Sequence, residues 1–260
     1  MNFIMKIFIF IFFSCSLSAA EQEYLDLVKK CLTNTIYKDP IIRDIWQRPT
    51  VEELLSWDIT DLQVMTSYHG LTALENMLSD VIDSGVEGDF IETGIWRGGH
   101  CIFMRAFLKI KGNTNRTVWC ADSFQGVPPP SYPQDKGLDL YQVPWLAVSL
   151  KEVQDNFNRY GLLDDQVQFL KGWFKDTLRK APIKKLAILR LDGDLYESTM
   201  DALTALYDKV SVGGYVIIDD YGAIDVCADA VHEFRRARKI TDPIIPVDWS
   251  IVYWKKTKET

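Results

Sequence analysis

The chain has 260 residues, of which 47% are hydrophobic and 25% are charged, so it can bury one substantial core. Its net charge of -7 and pI near 5.1 argue against binding to nucleic acid or to an anionic membrane surface, because both reward a concentrated basic face. We therefore expect one main domain with no nucleic-acid partner. Five widely spaced cysteines without a C-x-x-C motif are interpreted as free thiols.

The first twenty residues form a segment of their own. A single lysine precedes an apolar stretch at residues 7–13, and small residues end at Ala20, which is the layout of a secretory signal peptide. The stretch is too short for an ordinary membrane-spanning helix. A lipoprotein signal with Cys15 as the lipidated residue and an uncleaved apolar segment are the alternatives. Residues 1–20 are therefore predicted to be a signal peptide or an apolar N-terminal segment.

Residues 21–86 have the pattern of a helical region. The stretch "EYLDLVKKCLTNTIY" places its apolar residues on one stripe, and "DLQVMTSYHGLTALENMLSDVIDSG" repeats them every three or four positions. Residues 40–49 between these stretches predict a loop or a short helical turn. Helices are therefore expected before the first strand.

From residue 87 to the C-terminus, short apolar runs alternate with amphipathic segments. The runs "DFIETG", "RTVWCADS", "VQFLKGW", "LAILRLDGD" and "GGYVIIDDY" are predicted strands, and each precedes a predicted helix. This alternation indicates an α/β fold with a parallel sheet covered by helices on both faces. The stretches "DPIIPVD" and "SIVYWKK" add two strands without a helix between them, which favours antiparallel pairing of the last one.

The glycine-rich stretch "DFIETGIWRGGH" follows the first predicted strand. Its turn lets backbone N–H groups approach a ligand, and the next helix favours a negative group at its N-terminus. The spacing G-x-x-x-G-G differs from the dinucleotide fingerprint G-x-G-x-x-G, which argues against a nicotinamide cofactor. Glu92 suits an ammonium group and Arg97 a carboxylate, with a surface ion pair as the alternative for Arg97. Of the three histidines, His100 is the one favoured to contact a ligand.

Carboxylates also follow three further strands, at the edge where parallel sheets bind ligands. Asp122 is placed to accept the hydroxyls of a ribose, or else to cap the next loop. If the fourth and fifth predicted strands are neighbours, Asp192, Asp219 and Asp220 come close together and would repel one another unless they are protonated or bridged by a cation. Mg²⁺ prefers such oxygen ligands. Asp194 is then free to act as a base, with capping of the next helix as the alternative.

These residues resemble the macrocin O-methyltransferases, Mg²⁺-dependent enzymes that use S-adenosylmethionine to methylate hydroxyls of sugars. The resemblance runs from about Glu23 to Lys255 and includes "GDFIETGIWRGGHCIFMRAFL", "VWCADSFQGVP", "NFNRYGLLDDQVQFLKGWFKDTL" and "LAILRLDGDLYESTMDALTALYDKVSVGGYVIIDDYGA". It implies a Rossmann-like class I methyltransferase sheet of seven strands, the last antiparallel, in a domain formed by residues 87–260.

The resemblance also implies roles for individual residues. The Mg²⁺ ligands fall on Asp192, Asp219 and Asp220, and the general base falls on Asp194. The implied contacts to S-adenosylmethionine are Glu92, Thr93, Gly94, Arg97, Gly98, Asp122, Ser123, Gly172 and Trp173. The implied acceptor is a hydroxyl of a sugar or a similar polyhydroxylated small molecule.

Several points are left open by the sequence. Asp192-Gly193-Asp194 is also a D-x-D motif, so a metal-dependent glycosyltransferase is the rival enzyme class, and a non-catalytic S-adenosylmethionine-binding protein is a second alternative. The signal-like N-terminus suggests export or membrane attachment, whereas the supply of S-adenosylmethionine suggests the cytoplasm. Residues 127–145 do not match the family's long lid, which leaves the acceptor open. An assembly of identical chains is compatible with the sequence.

Overall fold

The structure, a computed structural model, describes residues 17–38, 50, 53, 56 and 58–259. Most of the predicted signal segment and the predicted loop at residues 40–49 lie outside these residues. The helices are α1 (Ala19–Leu32), α2 (Tyr68–Asp83), α3 (Gly99–Ile110), α4 (Leu150–Arg159), α5 (Phe174–Thr177), α6 (Tyr196–Leu206) and α7 (Asp225–Ala237). The strands are β1 (Asp89–Thr93), β2 (Val118–Asp122), β3 (Val167–Lys171), β4 (Leu186–Leu191), β5 (Val210–Ile218), β6 (Ile245–Pro246) and β7 (Val252–Lys255).

The strands form one sheet in the order β3-β2-β1-β4-β5-β7-β6. Strands β1 to β5 pair in parallel, and β7 runs antiparallel to both of its neighbours. The seven-stranded sheet with an antiparallel last strand is therefore confirmed. One hydrophobic cluster on each face of the sheet forms the core, and no helix among the described residues is both long and apolar enough to cross a membrane.

The N-terminal helices pack into the same core as the sheet. Leu25 of α1 and Leu71 of α2 are fully buried in the cluster that also contains Phe90 of β1. Helix α2 begins later than the apolar periodicity predicts, because Ser67 accepts the backbone N–H of Gly70 and caps the helix there. Residues 61–66, which were predicted to be helical, are irregular.

The start of α1 coincides with the end of the predicted signal segment. Ser18 accepts the N–H of Glu21, and the Glu21 carboxylate accepts the N–H of Ser18, which is a capping box. The helix thus begins at Ala19, two residues before the predicted cleavage point.

The pairing register determines which residues meet at the carboxyl ends of the parallel strands. Thr93 of β1 lies beside Leu191 of β4, which lies beside Ile218 of β5. Each strand ends at the same level, so the residues that follow, Gly94, Asp192 and Asp219, are neighbours across the sheet edge. Strand β4 is buried along its whole length, and Arg190 is the one polar residue within it. The carboxylates of Asp192 and Asp194 therefore come only after the strand has ended.

Candidate active site

A cavity of about 670 Å³ opens at the carboxyl ends of the parallel strands. Its walls come from the first βα loop, the residues just before α2, the loop of residues 127–145, the turn after β4 and the residues that follow β5. The predicted site residues that line it are Gly94, Asp122, Ser123, Trp173, Asp192, Asp194, Asp219 and Asp220. These residues, which are distant in the sequence, therefore lie together at the carboxyl end of the sheet.

Three carboxylates converge on one wall of this cavity. Asp192, Asp219 and Asp220 each offer one oxygen, and these oxygens lie within 4.8 Å of one another. This spacing fits one hard cation such as Mg²⁺, which takes a few carboxylate oxygens and keeps other positions for water and substrate. Burial raises the pKa of both Asp219 and Asp220 well above the ordinary value, because a buried charge is costly and neighbouring carboxylates add repulsion.

Arg190, a site residue that was not predicted from the sequence, lies beneath the carboxylates. Its side chain is only 2% exposed. Nη1 donates to Glu92 Oε1 and to Asp192 Oδ2, each at 2.7 Å, and Nη2 donates to Asp219. Burial opposes the guanidinium charge, yet Asp219, Asp192 and Glu92 together raise the pKa of Arg190 above its ordinary value. Arg190 thus contacts one oxygen each of Asp192 and Asp219 and leaves the other available for a cation.

Asp194 lies in a sharp turn between β4 and α6. Its φ of 59° is in the left-handed region, which a residue other than glycine occupies only when its surroundings hold it there. Its backbone N–H donates to Asp220 Oδ2 at 3.2 Å. Burial, followed by repulsion from Asp192 and Asp219, raises the pKa of Asp194 to about 7. The N-cap residue of α6 is Leu195, so the alternative in which Asp194 caps this helix is wrong.

Gly94 brings the first loop against the turn after β4. Its φ is 84°, and a Cβ atom at this position would lie 1.6 Å from the backbone carbonyl oxygen of Asp192. Only glycine allows this approach. The close contact fixes the distance between the glycine-rich loop and the carboxylates.

Gly94→Ala is therefore expected to lower the free energy of unfolding by at least about 2 kcal/mol, from backbone strain and overpacking together. Gly112→Ala is the matched control, because Gly112 also has a positive φ, of 58°, but a Cβ there meets nothing within 4 Å. That variant is expected to lose only about 1 kcal/mol. Urea denaturation of both variants measures the difference, and equal losses would contradict the close contact at Gly94.

Asp122 lies at the end of β2, as predicted, and lines the cavity. Its Oδ1 accepts the N–H of Phe124 at 2.6 Å, and its Oδ2 accepts the N–H of Ile95 at 2.9 Å. The capping alternative for Asp122 is therefore observed. A carboxylate has about four lone-pair sites, so capping by the two N–H groups does not by itself exclude ribose binding. Burial raises the pKa of Asp122.

Glu92 and His100 are buried below the cavity rather than in its lining. Glu92 is 1% exposed, and its carboxylate contacts Arg190, the His100 Nδ1 at 3.0 Å and the Cys101 thiol. Glu92, His100 and Asp192 form a second group with metal-like spacing, but Arg190 already occupies oxygens of both carboxylates. Glu92 is connected to the site through Arg190, which donates to both Glu92 and Asp192. A contact between Glu92 and the methyl donor stays a prediction.

The other predicted contacts that do not line the cavity have structural partners. Arg97 donates to the carbonyl oxygens of Ile59, Thr60 and Leu62 and so holds the first loop against the segment before α2. Gly98 packs against α4, since a Cβ there would lie 2.9 Å from Val153 Cγ1. Thr93 and Gly172 extend the backbone hydrogen-bond ladder, Thr93 to Asp192 and Gly172 to Asp122. Their predicted roles at the methyl donor stay predictions.

Several residues of the cavity wall were not predicted from the sequence. They come from the segment just before α2, from the loop of residues 127–145 and from the connection between β6 and β7, and they include Thr66, Ser67, Pro129, Trp145, Asp248 and Trp249. The Trp96 Nε1–H donates to the carbonyl oxygen of Trp145 at 2.9 Å, which joins the first loop to the loop of residues 127–145. The sequence feature that could have indicated these walls is the presence of tryptophans in the loops, such as Trp145 and Trp249.

The seven-stranded sheet with antiparallel β7, and a cavity at the ends of β1, β2, β4 and β5, define a class I methyltransferase fold. The solved O-methyltransferase NovP has a TM-score of 0.83 to this chain and 48% sequence identity, over 92% of this chain and 100% of NovP. A calicheamicin methyltransferase, at 19% identity, shares the fold with a TM-score of 0.59, over 92% of this chain and 93% of its own.

Sequence comparison gives the family. The family model described as macrocin-O-methyltransferase (TylF) matches residues 58–256. The chain is 50% identical over 246 residues to 8-demethyl-8-(2,3-dimethoxy-alpha-L-rhamnosyl)-tetracenomycin-C 4'-O-methyltransferase of Streptomyces olivaceus, covering 92% of this chain and 94% of the relative. It is 45% identical over 251 residues to mycinamicin III 3''-O-methyltransferase of Micromonospora griseorubida, covering 92% and 98%.

The chain therefore belongs to the macrocin-O-methyltransferase family, and it is an S-adenosylmethionine-dependent O-methyltransferase. Family membership decides between the two enzyme classes in favour of methyl transfer over glycosyl transfer.

Proposed function

We propose that this enzyme methylates a hydroxyl of a sugar unit in a small glycosylated molecule, with Mg²⁺ at Asp192, Asp219 and Asp220. The observation that carries the proposal is that Asp194 and three closely spaced carboxylates share one wall of a single cavity. The names of the relatives support the acceptor class, since they describe O-methylation of rhamnosyl-tetracenomycin and mycinamicin III.

The donor is assigned to the side of the cavity formed by β1 and β2. Gly94, Asp122 and Ser123 line it there, and Trp173 lies at the end of β3. The Asp122 carboxylate would accept a ribose hydroxyl with its remaining hydrogen-bonding capacity, and the indole of Trp173 would offer a flat apolar surface for the adenine. A donor held by these residues would lie next to the carboxylate wall of the same cavity.

The acceptor hydroxyl is assigned to the carboxylate wall. Mg²⁺, when bound, lowers the pKa of such a hydroxyl and orients it. Asp192 and Asp219 direct one oxygen each towards the cation, because Arg190 holds the other. Asp194 accepts the proton of the hydroxyl, while the cavity walls align the oxygen with the methyl group. Alignment of this kind supplies up to roughly 7–11 kcal/mol of the barrier reduction.

Part of the cavity wall is apolar on the acceptor side. Pro128, Leu140 and Trp145 line it, and Trp145 is 49% exposed at the surface. Apolar surface of this kind suits a non-sugar portion attached to the acceptor sugar. A screen of demethylated glycosides with isotopically labelled S-adenosylmethionine tests the acceptor class. Transfer to a protein or nucleic acid but to no glycoside would contradict it.

Chelation tests the metal. Treatment with EDTA is expected to reduce turnover, and Mg²⁺ is expected to restore it, because three adjacent carboxylates need a cation to hold the acceptor oxygen among them. Calorimetric titration of Mg²⁺ into the chelated protein should give saturable binding without any substrate. Asp219→Asn is expected to weaken that binding by about tenfold or more. Activity that survives EDTA, together with no Mg²⁺ binding, would contradict the metal assignment.

A further inference from the structure

Asp135 is a fully buried carboxylate within a loop that is otherwise mostly exposed. Its exposure is 0%, whereas Tyr132, Tyr141 and Trp145 of the same loop are between 44% and 49% exposed. Oδ1 accepts the backbone N–H of Tyr196 at 2.7 Å, and Oδ2 accepts that of Glu197 at 3.1 Å. In the part of the chain that the structure describes, no lysine or arginine forms an ion pair with Asp135.

Helix α6 depends on this carboxylate for its N-terminal cap. Its N-cap residue, Leu195, has no side chain that can accept a hydrogen bond, so the first N–H groups of the helix need another partner. Asp135 supplies it from 61 positions earlier in the chain. The position also favours the negative charge, because it lies at the positive end of the helix dipole. Ser131 of the same loop adds a hydrogen bond to the Glu197 carboxylate.

This cap joins two walls of the active-site cavity. The loop of residues 127–145 forms the apolar wall through Pro129, Leu140 and Trp145. Helix α6 begins two residues after Asp194, whose left-handed backbone requires support from its surroundings. A shift of the first turn of α6 would therefore move Asp194.

We infer that Asp135 is a positioning residue that places Asp194 and fixes the loop of residues 127–145 through one contact. The part of this inference that concerns turnover rests on the proposed function. When the loop is seated, Asp135 holds the first turn of α6, and Asp194 faces the acceptor. When the loop of residues 127–145 moves away from α6, the helix loses its cap, and the turn that contains Asp194 becomes more mobile. The enzyme thus has its base in place only when the apolar wall is in place.

Hydrogen exchange of the full chain tests the coupling without any substrate. Asp135→Ala is expected to speed exchange of the backbone amides of Tyr196 and Glu197, and of those in residues 127–145, by about tenfold or more. Asp135→Asn keeps one acceptor oxygen and is expected to fall between the wild type and the alanine variant. Faster exchange in only one of the two segments would overturn the inference.

Ser149→Ala is the matched control, because Ser149 caps α4 through the N–H of Glu152 and does not line the cavity. It removes a helix cap of the same kind and is expected to speed exchange only at the start of α4. Calorimetric binding of S-adenosylhomocysteine is expected to be unchanged, within about twofold, in both alanine variants, since each contact lies away from the donor residues.

Turnover with an acceptor found in the glycoside screen gives the functional readout. We expect the kcat of Asp135→Ala to fall by about tenfold or more with little change in donor affinity, and the kcat of Ser149→Ala to stay within twofold. Equal losses of kcat in the two variants, or a kcat of Asp135→Ala within twofold of wild type, would overturn the inference. A wild-type chain that methylates no glycoside would contradict the proposed function instead, and the exchange experiment would still decide the coupling.

Discussion

Replacement of Asp194 by asparagine is expected to lower kcat by about 10²- to 10⁴-fold, the range that a positioned general base contributes. The amide has nearly the shape of the carboxylate but cannot take the proton of the acceptor hydroxyl. Donor binding should change little, because the donor is assigned to Gly94, Asp122 and Ser123 on the other side of the cavity. Isotope transfer from labelled S-adenosylmethionine measures kcat, and calorimetry with S-adenosylhomocysteine measures the affinity.

The pH dependence of the same variant tests the base assignment. Burial, with Asp192 and Asp219 nearby, raises the pKa of Asp194 to about 7, so in the metal-free protein this carboxyl is protonated at acid pH and ionised above neutrality. A base must be ionised, and kcat should therefore rise with pH and level off once Asp194 is ionised. Bound Mg²⁺ stabilises the carboxylate and should move that rise to lower pH. In the Asp194→Asn variant this rise of kcat with pH should be absent.

Asp165→Asn is the control for the charge change, since Asp165 is exposed and lies outside the cavity. It should keep the wild-type kcat and pH profile. An Asp194→Asn enzyme with wild-type turnover would place the base at another residue.

The sheet and the edge that carries the site could be predicted from the sequence, because both depend on local patterns. Apolar runs such as "LAILRL" predict buried strands, and the residues that follow the strands must lie at one edge of a parallel sheet. The register confirms this for Gly94, Asp192 and Asp219. Once β4 and β5 are neighbours, Asp192, Asp219 and Asp220 are brought to the same place, because all three follow the ends of these two strands.

The side-chain directions of buried polar residues could not be predicted in this way. Glu92 lies one residue before the end of β1, and it faces Arg190 and His100 below the cavity. Arg190 was visible only as a charged residue inside an apolar run, which gives no information about its partners. Asp135 caps a helix 61 positions later, and no local pattern can indicate a contact of that kind. Such contacts depend on tertiary packing.

Arg190→Met is expected to destabilise the fold by about 3–5 kcal/mol, the usual cost of removing one partner from a buried ionic network. Methionine preserves much of the apolar volume. The loss of stability therefore comes from the carboxylates of Glu92, Asp192 and Asp219, whose ion pairs with Arg190 are removed. Arg190→Lys keeps the charge, but its single ammonium nitrogen cannot reproduce the planar fork whose two nitrogens contact Glu92, Asp192 and Asp219, so an intermediate loss is expected. Urea denaturation in the presence of EDTA measures these differences.

Arg105→Met is the matched control. Arg105 is also buried, at 6% exposure, but its partner Asp164 has a side chain that is 43% exposed and stays hydrated when the arginine is removed. The free energy of unfolding of Arg105→Met should therefore fall by only about 1 kcal/mol. Because Mg²⁺ can replace part of the missing positive charge at Asp192 and Asp219, adding Mg²⁺ should stabilise Arg190→Met more than it stabilises the wild type or Arg105→Met. Equal stabilisation of all three proteins by Mg²⁺ would mean that Arg190 and the cation do not share these carboxylates.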